Sequence, residues 1–461
     1  MTQITFDMND WLTNASLEGL YRILKNEGHE PQINKLGNGF SFSSDLLDNF
    51  PKMYFHFFLN QYQVISSYAK IMAYEDKLNQ WENEHYQNFS FDDFKNFRDY
   101  LQNILKYYTK SNSFKKIYPL MTDSLDVIDA LKTLTKLPNA TTEKAFNSKK
   151  DAIIQAVMQV SVQLKPIYAY FNSPQAKQYF PVLSTLYTVV NNTWSNLSYF
   201  NRGNKEPDFY VAYAQTFVDP VKTYLNEEHS KDKYRCSSCG RPIAKREFSY
   251  SFLTDMGFDA ARKTSNVWDF NSDLYICPIC QLMYSCASAG FNFVNGHGLF
   301  INDSHDVQGL TSTNERIASS IWNTRVNSNG RYSTPYAAMI TALTDEKQSS
   351  YDYSFEDVQV VRYENEHYQF NLLSKKVLRV FQKSRKAFHT IRSANFTLNG
   401  SRHYVFEDIA SHVINSQNLF LYTNQLLRVK ATNPNNAYVF GSQVQAILEI
   451  NANLLEEIND D

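Results

Sequence analysis

Apolar positions in the first half of this chain recur at helical spacing. Phe58, Tyr62, Ile65, Ala69 and Met72 fall three or four residues apart, as do Ile153, Val157, Val160 and Leu164, the interval that gathers side chains on one helix face. Glycine, which tight β-turns favour because it tolerates positive φ, is missing from residues 40–202. Prolines at 51, 119, 138, 166, 174 and 181 are the strong breakers there. The pattern predicts helices joined by Pro, Asn and Ser turns. Ser90-Phe91-Asp92-Asp93 reads as a helix start, with serine as the cap and carboxylates favoured by the dipole. Asp10 reads the same way, and Gly28 as the stop of an N-terminal amphipathic helix.

The pattern changes after residue 230. Residues 231–300 hold all five cysteines among aromatic and turn residues, which suits short strands around a metal. Ser, Asn and Thr crowd 301–364, where Glu356 to Tyr363 alternates like a strand. From 365 onward helical spacing returns, with breaks near Gly400 and Asn433-Pro434 and helices expected at roughly 370–395, 403–430 and 440–458. Four segments follow: a mainly helical body (1–230), a four-cysteine module (231–300), a mixed loop and strand connector (301–364) and a C-terminal helical bundle (365–461). The expected fold class is mainly α with a zinc-ribbon-like α+β insert.

The strongest chemical signal is Cys236-Ser-Ser-Cys239 followed by Cys277-Pro-Ile-Cys280. Two residues between cysteines let both thiolates of a knuckle reach one ion, and two knuckles supply the tetrahedral sulfur set that zinc accepts. Gly240 after the first pair and Pro278 inside the second suit such turns. Four thiolates leave no position for water, so a structural Zn2+ is expected, not a catalytic one. Redox chemistry is the other reading of a C-x-x-C pair, but it needs only one. Cys286, in the apolar stretch LMYSCASAGF, is expected to be a buried free thiol.

Charge refines the picture. With 45 basic and 47 acidic side chains, the net charge of −2 argues against a uniformly basic nucleic-acid coat. Its distribution is uneven. Residues 371–403 carry Lys375, Lys376, Arg379, Lys383, Arg385, Lys386, Arg392 and Arg402 and no acid. Lys375, Arg379, Lys383 and Lys386 share one helical face, opposite Leu373, Val377, Val380, Phe381, Phe388 and Ile391. Such a helix packs on its apolar side and offers the other to a polyanion such as a nucleic-acid backbone. A solvated face paired with acidic neighbours is the alternative. A second segment interleaves Lys106, Lys110, Lys115 and Lys116 with Tyr107, Tyr108, Phe114 and Tyr118, a mixture suited to single-stranded nucleic acid.

Catalytic signatures are missing: there is no phosphate-binding G-x-x-x-x-G-K-[ST], no G-x-G-x-x-G and no G-x-S-x-G. His297 and His305-Asp306 form the one histidine grouping to test, without recognisable further ligands. No apolar run reaches the roughly 18 residues of a membrane span, and Gln155, Gln159 and Gln163 interrupt the best stretch. The N-terminus lacks signal-peptide character, so a cytoplasmic protein is expected.

Two features together resemble the CXXC–CXXC CRISPR-associated proteins, large subunits of type I-B Cascade surveillance complexes. One is the pair of knuckles in mid-chain. The other is the stretch Asp10–Leu24, where the family tends to show Trp, then Asn-Ala-Gly, then Gly before an apolar helix. Here Trp11, Asn14, Ala15 and Gly19 match, with Ser16 where glycine is usual. Residues 60–220 add only length and helicity to the likeness.

The resemblance implies a non-catalytic subunit near the 5′ end of the CRISPR RNA (crRNA). It would read the protospacer-adjacent motif in target double-stranded DNA, help open the strands in R-loop formation, and dock the helicase–nuclease in antiviral defence. The implied partners are crRNA, target duplex, displaced single strand, backbone and other Cascade subunits, and no membrane. The cationic helix would suit the displaced-strand channel. In related systems a small subunit is translated from within the large-subunit gene; Met339–Asp461 would make such a product. Another zinc-ribbon nucleic-acid-binding or transcription-associated protein, and a metal-dependent enzyme, are the competing classes.

Overall fold

A computed structural model describes residues 2–191, 194, 197–200, 203–249, 252–253, 275–294, 297–327, 339–340, 358–364, 367–398 and 400–459. The chain opens with β1 (Gln3–Asp7), α1 (Trp11–Asn26), β2 (Asn34–Lys35) and β3 (Gly39–Ser43). The strands form an antiparallel sheet in the order β1-β3-β2, with Ile4 opposite Phe42 and Phe6 opposite Phe40. The Asp10 carboxylate accepts the Thr13 amide at 2.7 Å and caps α1. Gly28 follows the helix at φ +79°, the left-handed stop read from the sequence. Strand β3 is a departure, because it carries sheet into the glycine-free stretch read as helical.

Among the described residues, eleven further α-helices follow before the cysteines: α2 (Phe50–Tyr62), α3 (Ser67–Met72), α4 (Glu75–Asn83), α5 (Phe91–Lys106), α6 (Asn112–Ile117), α7 (Val127–Lys132), α8 (Glu143–Ser148), α9 (Lys150–Asn172), α10 (Pro174–Val189), α11 (Phe209–Tyr213) and α12 (Asp219–Asn226). Ser90 and Asp93 cap α5 reciprocally, and Ile153, Val157, Val160 and Leu164 are all buried on α9. The stripe from Phe58 to Met72 is not one helix. Ser66 accepts the Ala69 amide and starts α3 afresh, the competition with helix that serine offers. Conversely, Pro166 and Pro181 lie inside α9 and α10 and not at turns. The core of this part is aromatic, with Tyr54 stacked on Tyr213 at 4.4 Å and its hydroxyl 2.9 Å from that of Tyr199. Tyr100 and Tyr168 pair likewise at 2.7 Å, so these buried hydroxyls are satisfied.

The later elements are β4 (Tyr234–Arg235), β5 (Pro242–Ile243), α13 (Pro278–Ser285), α14 (Ala287–Gly290), β6 (Asn292–Val294), β7 (His297–Asn302), α15 (Val307–Asn327), β8 (Val358–Glu364), β9 (His367–Leu373), α16 (Lys375–Lys383), α17 (Arg385–Ile391), β10 (Asn395–Leu398), β11 (Ser401–Tyr404), α18 (Val405–Ile414), α19 (Phe420–Thr432), β12 (Ala437–Tyr438) and α20 (Gly441–Asn459). One sheet runs β6-β7-β8-β9 and another β11-β10-β12. The alternation at Glu356–Tyr363 becomes β8, but the connector also holds α15, whose buried face of Leu310, Thr311, Asn314 and Ile317 is too polar to show as a stripe. The helix expected over 370–395 begins as β9 and divides at Ser384. The one over 403–430 divides near Ser416, at φ +53°. Helix α20 matches the third. The fold is mainly α with a four-cysteine α+β insert.

The chain makes two compact units, Leu46–Pro278 and the combination of Met1–Asp45 with Ile279–Asp461. The N-terminal 45 residues therefore fold with the later chain and not with the helical body that follows them in sequence. Helix α1 lies so close to α14 that a Cβ on Gly19 would overlap the Cys286 carbonyl, and one on Gly290 the Ala15 carbonyl. The Asn14 amide donates to Asn302 Oδ1 at 2.8 Å, and Asn302 donates to Gln359 Oε1 at 2.8 Å, tying α1 to β7 and β8. Ser16, fully buried, donates to the Leu12 carbonyl at 2.7 Å. Arg22 donates to the carbonyls of Ala289, Gly290 and Asn314 and meets the buried Glu18 at 2.6 Å.

Gly19→Ala must push α1 off α14 and should cost about 1–3 kcal/mol, read as a lower denaturation midpoint. Burial pushes the Glu18 carboxyl from an ordinary 4.5 up to about 7, against the pull of Arg22. The folded state then holds a proton that the unfolded chain releases, so this group contributes stability that falls as pH rises from about 4.5 to 7. Glu18→Gln should flatten that dependence relative to wild type in denaturation curves across the window.

Candidate metal centre and cationic surfaces

The β4–β5 hairpin pairs Tyr234 with Ile243 and Arg235 with Pro242, and the first knuckle is its turn. The Cys236 amide donates to the Arg241 carbonyl at 2.8 Å and the Gly240 amide to the Cys236 carbonyl at 2.9 Å. Gly240 sits at φ +71°, which explains glycine there. The second knuckle is laid beside the first by backbone bonds. The Ser237 amide and hydroxyl both donate to the Tyr275 carbonyl at 2.9 Å, and the Ile276 amide donates to the Phe248 carbonyl at 3.0 Å. Pro278 opens α13, placing Cys280 in its first turn.

The sulfurs of Cys236, Cys239, Cys277 and Cys280 all lie within 4.8 Å of one another, and Cys239 Sγ is 3.6 Å from Cys277 Sγ. A tetrahedron with metal–sulfur bonds of about 2.3 Å has edges of about 3.8 Å, so the four side chains fit one tetrathiolate ion. All but Cys239 are buried. Helix α12 supports the hairpin: the Tyr224 hydroxyl donates to the Pro242 carbonyl at 2.8 Å, and its ring stacks on His229 at 3.9 Å. Burial, reinforced by the neighbouring thiols, pushes that hydroxyl up to about 12. Burial opposes charge on His229, but the Tyr224 carbonyl and the Asp232 carboxylate outweigh it and raise its pKa.

Cys286 is buried, as expected, and in no disulfide; its Sγ donates to the Leu282 carbonyl at 3.4 Å. His305 pairs with Asp303 at 2.8 Å, while Asp306 accepts the Gly309 amide at 2.6 Å in the first turn of α15. The side chain of His297 lies outside the described residues. Among the described residues, the four cysteines are the one cluster of metal-ligating side chains.

The cationic helices α16 and α17 pack on their apolar side, with Val377, Val380, Phe381, Phe388 and Ile391 buried, as is Leu373 at the end of β9. Lys375 and Lys376 are half-buried; Arg379, Lys383, Arg385, Lys386 and Arg392 are exposed. Its surroundings are less uniformly basic than the local sequence. Glu457 of α20 lies 2.7 Å from Lys383 and 3.7 Å from Arg379, and Glu456 lies 3.3 Å from Lys383. Hydrogen bonds that Lys383 donates to these carboxylates raise its pKa. They stand some seventy residues away in sequence, so no local window reveals them.

Of the second patch, Lys106 ends α5, Lys110 lies in a 3-10 turn, and Lys115 and Lys116 lie on α6. Lys116 donates to the Tyr199 carbonyl at 2.9 Å. Phe114 is fully buried against Phe180, and the Tyr118 hydroxyl donates to the Thr109 carbonyl. Tyr108 lies under the Lys70 ammonium. Tyr107, 63% exposed, is the open ring of the four.

Residues 229–292 match the family model described as CRISPR-associated protein (Cas_CXXC_CXXC). The match spans the hairpin, both knuckles, α13 and α14, and ends just beyond Gly290. It supports a CRISPR-associated family and a role among CRISPR components. No curated protein and no solved structure matches the chain. No helix among the described residues is long and apolar enough to cross a membrane.

The tetrathiolate geometry predicts one tightly held metal ion per chain by elemental analysis. Cobalt(II) exchange should give intense thiolate charge-transfer absorption. Cys239→Ser or Cys280→Ser should lose the ion and lower the melting temperature, because binding energy at such a site is folding energy. Cys286→Ser should leave metal content unchanged.

Proposed function

We propose that this protein is the large subunit of a type I-B CRISPR RNA-guided surveillance complex, acting without catalysis of its own. The observation that carries this reading is the family match over a module whose four sulfurs converge on one ion. The ion is Zn2+, held for structure, since a full thiolate shell leaves no position for substrate or water. In this reading the subunit works in the cytoplasm, recognises the protospacer-adjacent motif, supports R-loop formation and recruits the helicase–nuclease. Sequence recognition is delegated to guide pairing, so the protein needs backbone contacts and a channel for the displaced strand. The exposed side of α16 and α17 supplies cations for that channel.

A separately translated small subunit starting near Met339 would carry β8 and everything after it. Here Met339 is fully buried, and β8 pairs along β7 from Asn302 to Gly298. Such a product would present β8 as an open edge, a strand that needs covering.

The test is copurification of the full chain with the products of its neighbouring genes. A guide RNA and backbone subunits should come along; a chain that purifies alone and binds duplex DNA without RNA would favour a zinc-ribbon transcription factor instead. Within the complex, reversal of Lys375, Lys376 and Lys386 to Glu should weaken target-DNA binding about tenfold or more and make its salt dependence shallower. Unchanged affinity in filter-binding titrations would remove the helix from the interface.

A further inference from the structure

The hairpin that carries the first knuckle is itself cationic, a feature distinct from α16 and α17. Between His229 and Phe248 stand Lys231, Lys233, Arg235, Arg241, Lys245 and Arg246 against Asp232 and Glu247, six cations minus two anions, or +4. Five of the six are exposed and Arg241 is half-buried. One of the two acids is already engaged, its carboxylate 2.7 Å from His229 Nδ1. The Arg246 guanidinium lies over the rings of Tyr234 at 4.6 Å and Tyr275 at 5.8 Å, and Tyr234 stays 38% exposed. A metal ion bound by four thiolates would carry −2 and offset part of this charge, but Cys236, Cys277 and Cys280 are buried whereas the cations face solvent.

We infer that the outer surface of the β4–β5 hairpin binds the phosphodiester backbone of a nucleic acid. Charge complementarity selects a polyanion, and an arginine over a part-exposed tyrosine adds a ring and a guanidinium of the kind on which bases stack. The choice of nucleic acid among polyanions rests on the surveillance-complex reading above. The fold gives the hairpin a fixed base: the knuckle turn, the Tyr275 carbonyl and the Tyr224 hydroxyl of α12 hold its backbone, with Arg235 on β4 and the other cations in the segments that flank the two strands.

The test compares the wild-type chain with a Lys233→Glu, Arg235→Glu, Lys245→Glu variant. The probes are short labelled mixed-sequence single-stranded DNA, single-stranded RNA and duplex DNA, titrated over a range of salt. The variant should keep its metal, bind about tenfold or more weakly, and show a log–log salt slope shallower by about 0.7–0.9 for each phosphate it no longer neutralises. The probe most affected identifies the strand concerned. Unchanged affinity and slope on all three probes overturn the inference. If the reversals release the metal, Lys231→Gln with Lys245→Gln, both outside the knuckle, decides the same question by the same readout. The helix variant at Lys375, Lys376 and Lys386, run in parallel, separates the two ideas. Weakened binding there with none at the hairpin defeats the hairpin alone, whereas a complex without guide RNA defeats the wider reading whatever the hairpin does.

Discussion

Helix α1 can lie on α14 because residues 19 and 290 have no side chains. The two helices meet backbone against backbone, with the Cys286 and Ala15 carbonyls filling the places where Cβ atoms would be. Much of the unit formed by Met1–Asp45 and Ile279–Asp461 depends on this approach. Once α1 is this close, Asn14 reaches Asn302 on β7, and Arg22 reaches the carbonyls that end α14 together with that of Asn314 on α15. Each is a polar group whose burial is tolerable only when satisfied. Glu18 is the exception, since one i,i+4 arginine leaves desolvation dominant.

This gives the Trp, Asn-Ala and Gly residues of the N-terminal stretch separate physical jobs. Trp11 packs on Tyr368 and Phe370 of β9. Asn14 bridges to the sheet, Gly19 clears room for α14, and the Ala15 carbonyl fills the space that Gly290 leaves. Ser16 keeps the helix and donates its hydroxyl to the Leu12 carbonyl, so it is buried without leaving an unsatisfied group.

How much of the fold is legible in the sequence depends on distance along the chain. Local grammar is readable: the Asp10 and Ser90 caps, Gly28, the α9 stripe and both knuckles follow from neighbours within a few residues. Ser66 and Ser384 stand at helix breaks that periodicity alone would run through: the Ser66 hydroxyl caps α3 and the Ser384 hydroxyl accepts from Asn453, and neither disturbs the apolar spacing. Helix α15 escapes a sequence reading for the opposite reason, as its buried face uses Thr311, Thr313 and Asn314 where a stripe of leucines would be seen. Pairings across hundreds of residues, Gly19 with Gly290 or Lys25 with Glu315, leave no trace in a single sequence. The same limit applies to charge. The eight cations of 371–403 look unopposed in sequence, yet α20 brings Glu456 and Glu457 to Lys383.

Between Ser249 and Tyr275, which form a β-bridge, lie 25 residues. Their two ends are joined at the base by that bridge, by the Ile276 to Phe248 bond and by the sulfurs on either side. The entropy of closing a loop grows only logarithmically, so doubling its length costs about 0.6 kcal/mol once the ends are held. The knuckles thus act as a socket that decouples the content of the insertion from the stability of the site. The span of chain between Ser249 and Tyr275 can then change in length or composition at little cost to the sulfur cage that its ends support.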